Sequence, residues 1–99
     1  MTNGELNLWQ WHVSEYGEGV DVPATYRKLL EEVGELGEAL IQNDPDAIHE
    51  EMADVGALCF ILAKGLGFDG LSSGLLPCAY NKLETARWKA KHRAKMEKK

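Results

Sequence analysis

Apolar residues recur at helical intervals in four stretches of this chain, and glycine, proline or a short polar turn separates each from the next. In the first, Leu6, Trp9, Val13 and Tyr16 share a face. This predicts a helix from about Glu5 to Tyr16, broken by Gly17 and Gly19. The second helix opens behind Pro23, a favoured first-turn residue, and runs to about Gln42, with Leu29, Val33, Leu36 and Leu40 as its buried stripe. Asn43-Asp44-Pro45-Asp46 reads as a tight turn that also caps the third helix, which continues to about Lys64 and ends at Gly65 and Gly67. Its stripe is Ile48, Met52, Val55, Cys59, Leu62 and Leu66. Phe68 to Ser73 reads as a loop, with Ser72 or Ser73 as N-cap of a fourth helix striped by Leu76, Ala79, Leu83, Ala86 and Ala90. No stretch alternates as a strand does, so the expected fold is all-α, with the second and third helices paired as an antiparallel hairpin.

Length and composition agree. Ninety-nine residues make one domain with a thin core, and 44% hydrophobic against 27% charged residues is an ordinary globular balance. No apolar run approaches the roughly 18 residues of a membrane span, and the first residues lack the layout of a signal peptide. Cys59 and Cys78 show no metal or redox spacing and read as reduced thiols, so a cytoplasmic protein with no membrane partner is expected. The net charge of −5 hides an asymmetry: residues 1–80 carry 14 acids against three bases, while residues 81–99 carry eight bases against two acids. So acidic a body attracts divalent cations and makes nucleic acid an unexpected partner. The basic tail, about residues 89–99, reads either as a solvated helix end or as a phosphate-facing segment.

The sharpest chemistry lies in the hairpin. At about 100° per residue, Glu32 falls roughly 75° from the centre of the second helix's stripe and Glu35 about 135° away. On the third helix Glu51 falls only about 40° from the middle of the stripe, and Asp54 about 100° away on the same side. A carboxylate at a core edge is costly unless paired or bound to a cation, and Arg27 and Lys28 are the only bases before residue 64. Two pairs, each spaced i,i+3 on neighbouring antiparallel helices, are positioned to converge. Oxygen-only ligation of that kind suits Mg²⁺, with Mn²⁺ as the alternative. Against this, Glu31, Glu32, Glu35 and Glu38 taken alone read as an acidic solvated face; Glu51 tips the balance to a metal. A carboxylate-bridged di-iron site is excluded because none of His12, His49 and His92 has Glu three residues before it. EF-hand, Walker and Gly-x-Ser-x-Gly patterns are absent as well.

Leu29-Leu30-Glu31-Glu32-Val33-Gly34-Glu35-Leu36, then Glu50-Glu51-Met52-Ala53-Asp54-Val55, resembles the Glu-Glu-x-x-Glu … Glu-x-x-Asp signature of MazG-like pyrophosphohydrolases. Asn81-Lys82-Leu83-Glu84 … Arg87 is similar to the segment that follows in many members, and the resemblance spans roughly residues 25–90. It implies a four-helix bundle completed by dimerisation. It also implies a Mg²⁺-dependent enzyme that hydrolyses (deoxy)nucleoside triphosphates to monophosphate and pyrophosphate, in house-cleaning or nucleotide-pool control. On that resemblance Glu32, Glu35, Glu51 and Asp54 take the metal-ligand positions. Glu31, Glu32, Glu35 and Lys82 are the catalytic candidates; Lys82 and Arg87 would contact phosphates, and Asn81 sugar or phosphate. For Glu31 three readings stay open: orienting a ligand, acting on water, or being solvated.

Trp9 belongs to the first helix's stripe, whereas Trp11 faces the other way, toward either a base or a partner subunit, with His12 beside it as a second candidate for base contact. The second helix has a further apolar strip, Leu30, Gly37 and Ile41, with Gly34 beside it and Gly56 on the third helix. Helix-interior glycines cost about 1 kcal/mol each relative to alanine, so close helix approach is their natural explanation, and a helix buried on two sides points to an oligomer, a homodimer at least; the MazG-like resemblance implies a dimer of dimers as the further possibility. Phosphoribosyl-ATP hydrolysis, a nucleic-acid-binding module using the basic tail, and a metal sensor without turnover are the competing readings.

Overall fold

The computed structural model describes residues 1–97, so Lys98 and Lys99 of the basic tail lie outside the described residues. Helix α1 spans Asn3–Tyr16, α2 Val22–Gln42 and α3 Pro45–Gly65; a π-helical turn, Leu71–Leu75, leads into α4, Leu76–Glu97. No strand occurs among the described residues, as the periodicity predicts.

Local chemistry fixes the helix starts. Helix α1 begins before Glu5 because Thr2 and Glu5 form a capping box: the Thr2 hydroxyl accepts from the Glu5 amide at 3.1 Å, and the Glu5 carboxylate accepts from the Thr2 amide at 3.3 Å. Asp21 caps α2 by accepting from the Ala24 amide at 3.0 Å, and Asp44 caps α3 by accepting from the Ala47 amide at 3.2 Å. Pro23 and Pro45 occupy the first turns. Between these helices Asn43, at φ 54°, takes the left-handed conformation that ends α2 and turns the chain into α3.

Helix α3 is the central element. It packs along α2 and touches α1 and the π-helical turn, whereas α4 touches only the π-helical turn among the helical elements. Phe60, Ile61 and Ala63 of α3 and Ala39 of α2 form the buried core, with Phe60 only 1% exposed. Two expected stripes are therefore corrected. On α2, Val33 and Leu40 are exposed, and the face meeting α3 instead carries Leu29, Glu32, Leu36 and Ala39, a rotation of roughly 50°. The α4 stripe is exposed throughout, because nothing in the single chain covers it. Leu6 and Tyr16 of α1, Met52 of α3 and Leu66 at its C-cap are likewise exposed. A radius of gyration of 17.8 Å, against about 13 Å for a compact chain of this length, expresses the same openness.

A long-range latch ties α1 to the π-helical turn. Glu5 accepts from the Leu71 amide at 2.9 Å and from the Ser72 hydroxyl; Ser73 donates to Asp69 at 2.9 Å, and Asp69 lies 3.4 Å from the N-terminal ammonium. Neither serine caps α4, contrary to expectation: a neighbouring carboxylate takes each hydroxyl. Gly70, at φ 136°, is needed here, since a Cβ would collide with the Glu5 carboxylate.

The Ser72 hydroxyl holds the Glu5 carboxyl down to about 2, against burial, which opposes the shift. The folded chain thus keeps Glu5 ionised at pH values where the unfolded chain protonates it near 4.5. That contribution is full above about 4.5 and is lost as pH falls through 2. Glu5→Gln should lower the melting temperature by several degrees at pH 7, with the gap to wild type closing as pH drops from 4.5 toward 2 in calorimetric scans. A gap independent of pH would show that the latch does not depend on the charge.

Candidate metal centre

Helix α2 presents Glu32 and Glu35 one turn apart, and α3 presents Glu51 across the seam. One oxygen of each lies within 4.8 Å of the others, the only group of this kind among the described residues. Glu32 is the one charged residue in the buried set, at 7% exposure; Glu51 is half-buried and Glu35 exposed. Oε2 of Glu32 and Oε2 of Glu51 are both buried without a hydrogen-bond partner. Two orphaned carboxylate oxygens facing one seam are costly as they stand, because a carboxylate can only accept.

The metal-free chain relieves the conflict in two ways. The nearby Glu32 carboxylate pushes Glu51 up to about 7, helped by burial and by the charge of Glu35, and the same interaction lowers Glu32. The second relief is Lys28, whose Nζ lies 3.2 Å from Oε1 of Glu32 and 3.4 Å from Oε2 of Glu31. Bases were not expected near these carboxylates. Lys28 is one, four residues before Glu32 on the same helix face, and its ammonium is raised by hydrogen bonds to both glutamates. A hard divalent cation would satisfy both orphaned oxygens at once, so the donor set fits Mg²⁺.

Beside this cluster lies an open cavity of about 560 Å³, a size suited to a small ligand. It forms because the backbones of α1 and α2 stay apart: both lean on α3, whose Ala57, Leu58 and Ile61 make the floor. Trp11, His12 and Tyr16 of α1 form one wall, and Thr25 and Lys28 of α2 the other. Tyr16 meets the Trp11 ring edge-on at 6.0 Å and the His12 ring at 5.2 Å, while Trp9 stacks on His12 at 5.4 Å. Nε2 of His12 is buried and has no partner. Trp9 is half-buried, with Lys64 5.1 Å above its ring. Trp11 is exposed as its helical position predicts.

Residues 27–99 match the sequence model of the MazG-like family. The chain belongs to the MazG-like family. The match takes in α2 from Arg27 onward, α3 and α4 but not α1, so the aromatic wall of the cavity lies outside it. Neither the curated proteins nor the solved structures give a match to this chain.

The other sequence-derived residues of this MazG-like chain lie apart. Asp54 is exposed and outside the cluster of three; Glu31 is exposed and faces Lys28. Asn81, Lys82 and Arg87 are exposed on α4, and Arg87 pairs with Glu84 at 3.2 Å. A shallow hollow of about 410 Å³ beside Asn81 and Lys82 has walls from α4 alone. Gly34, Gly37 and Gly56 have open space where a Cβ would stand, so close packing within the chain does not account for them. Lys28, Thr25 and Tyr16 were missed as site residues; the spacing of Lys28 to Glu32 was the signal that could have found one of them.

Glu51 keeps its proton to about pH 7 when folded but only to about 4.5 when unfolded, so its contribution to the metal-free fold is present below 4.5 and lost as pH rises through 7. With EDTA, the melting temperature should fall between pH 5 and 8, and Mg²⁺ at pH 8 should restore several degrees. Glu51→Gln should melt higher than wild type in EDTA at pH 8 and gain little from Mg²⁺. An equal Mg²⁺ response in both would remove Glu51 from the metal site.

Proposed function

We propose that this chain is a Mg²⁺-dependent nucleoside-triphosphate pyrophosphohydrolase, with Mn²⁺ as an alternative ion. The observation that carries the reading is the adjacency of two unlike features: orphaned carboxylate oxygens suited to a divalent cation, and an aromatic cavity sized for a nucleobase. Lys28 joins them, since it touches Glu32 and lines the cavity. Membership of the MazG-like family supports the same chemistry.

Glu32, Glu35 and Glu51 would hold the ion, joined by Asp54 one turn beyond Glu51. Mg²⁺ held there would neutralise phosphate oxygens and acidify a water molecule. In the net reaction water adds to the α-phosphorus and the α–β bridging bond breaks. Pyrophosphate departs with the bonding electron pair, and a glutamate accepts the proton of the water. Trp11 offers a stacking face to the base, and Nε2 of His12, lacking any partner in the protein, is free to hydrogen-bond its edge. Glu31, which faces Lys28, is assigned to orienting that lysine rather than to ligation.

Lys82, Arg87 and Asn81 sit on a helix whose backbone does not approach α2 or α3 of its own chain, so phosphate contact from them fits a second copy. The exposed apolar residues Leu76 and Leu83 on α4, and Val33, Leu40 and Ile41 on α2, fit burial in a homodimer or a dimer of dimers. No helix among the described residues is long and apolar enough to cross a membrane, and both cysteines are free; we place the protein in the cytoplasm.

A panel of ribo- and deoxynucleoside triphosphates incubated with Mg²⁺ should yield monophosphate and pyrophosphate, and Glu51→Gln should reduce the rate by at least about a hundredfold. Cleavage to diphosphate and orthophosphate, or equal rates in the two proteins, would reject the proposal. Sedimentation should show a dimer or tetramer for wild type and a shift toward monomer for Leu83→Glu.

A further inference from the structure

The ammonium of Lys28 occupies a position that a metal ion and a substrate would both contest. It sits against Oε1 of Glu32, the carboxylate whose other oxygen is buried without a partner. Glu32 is almost enclosed, with 9% of its side chain exposed, whereas the Lys28 side chain is 54% exposed. The lysine therefore reaches the carboxylate from the solvent side on a long flexible arm. That arm is rooted on the α2 wall of the cavity holding Trp11, His12 and Tyr16.

We infer that Lys28 is an exchangeable cation, which neutralises Glu32 until a divalent ion binds and then turns to the phosphate chain of a nucleotide whose base fills the cavity. This rests on the pyrophosphohydrolase reading and deepens it. The physical basis is charge. A dication bound among Glu32, Glu35 and Glu51 repels an ammonium on the same carboxylate and removes the attraction that held it there. The released side chain keeps Glu31 as a neighbour, 3.4 Å away in the metal-free chain, which holds it near the cavity mouth instead of in bulk solvent. Phosphate oxygens entering between the cavity and the carboxylates are then the strongest anions within its reach. A lysine suits that exchange better than an arginine, because a compact point charge on a four-carbon stem can change partners without matching a planar fork. Unlike Lys82 and Arg87, Lys28 reaches the site from within its own chain.

Two binding measurements on the full chain separate the halves of the inference. In calorimetry without nucleotide, Lys28→Met should bind Mg²⁺ about two- to fivefold more tightly than wild type, since a partly exposed ion pair that competes with the metal is gone. An α,β-methylene nucleoside triphosphate, which cannot be cleaved at that bond, should bind Lys28→Met with Mg²⁺ about tenfold more weakly than wild type. Lys28→Arg should recover most of that loss, and the matching monophosphate should lose less than the triphosphate. Unchanged or weaker Mg²⁺ binding by Lys28→Met would overturn the competition with the metal, and equal triphosphate binding would overturn the phosphate contact. If wild type bound Mg²⁺ but no triphosphate, the pyrophosphohydrolase reading and the second role of Lys28 would fall together. If wild type bound the triphosphate and Lys28→Met bound it equally, only the role of Lys28 would fall.

Discussion

A carboxylate packed into the seam between two helices is the constraint around which this structure is arranged. Glu32 stands where an apolar side chain would give α2 and α3 a continuous contact, between Leu29, Leu36 and Ala39. Burying it takes an acceptor out of water, and the surroundings compensate only in part: Lys28 reaches one oxygen, and the second stays unpartnered. Moving Glu32 to the surface would favour the hairpin and end the convergence with Glu35 and Glu51. Stability is given up at the position where the carboxylate oxygens gather, as expected when a candidate site needs groups that the fold alone would avoid.

The remaining architecture presents this seam. The caps of α2 and α3 and the left-handed Asn43 set the register of the hairpin, and register decides whether Glu51 faces Glu32. The Glu5 latch fixes α1 to the π-helical turn, and the gap between the backbones of α1 and α2 becomes the cavity. Helix α4 carries basic side chains away from the acidic body and covers no apolar surface of α2 or α3. The exposed stripes of α2 and α4 thus belong with the dimer proposal, in which the two faces find cover on a second copy.

How much of this was legible depended on the range of the interaction. Helix boundaries came out within a few residues because caps and breakers are local, and the meeting of Glu32, Glu35 and Glu51 followed from i,i+3 spacing on a hairpin with a short turn. The rotation of α2 did not. Ranking positions by hydrophobicity put Val33 and Leu40 inside and Glu32 at the edge, yet α2 has apolar residues on more than one face and α3 covers only one of them. Lys28 is readable from its four-residue spacing to Glu32, which places it one turn away on the same helix face. The Ser72–Glu5 contact joins residues 67 apart, and the cavity depends on two helices failing to touch; neither leaves a periodic trace in sequence.

In the proposed site the three glutamates of the seam together hold one divalent cation. Crystals grown with Mn²⁺ test it most directly, because the anomalous signal locates the ion independently of any assay. A peak is expected about 2.2 Å from oxygens of Glu32, Glu35 and Glu51, with Lys28 displaced from Glu32. A peak elsewhere, or none with Lys28 still paired to Glu32 at saturating Mn²⁺, would contradict it.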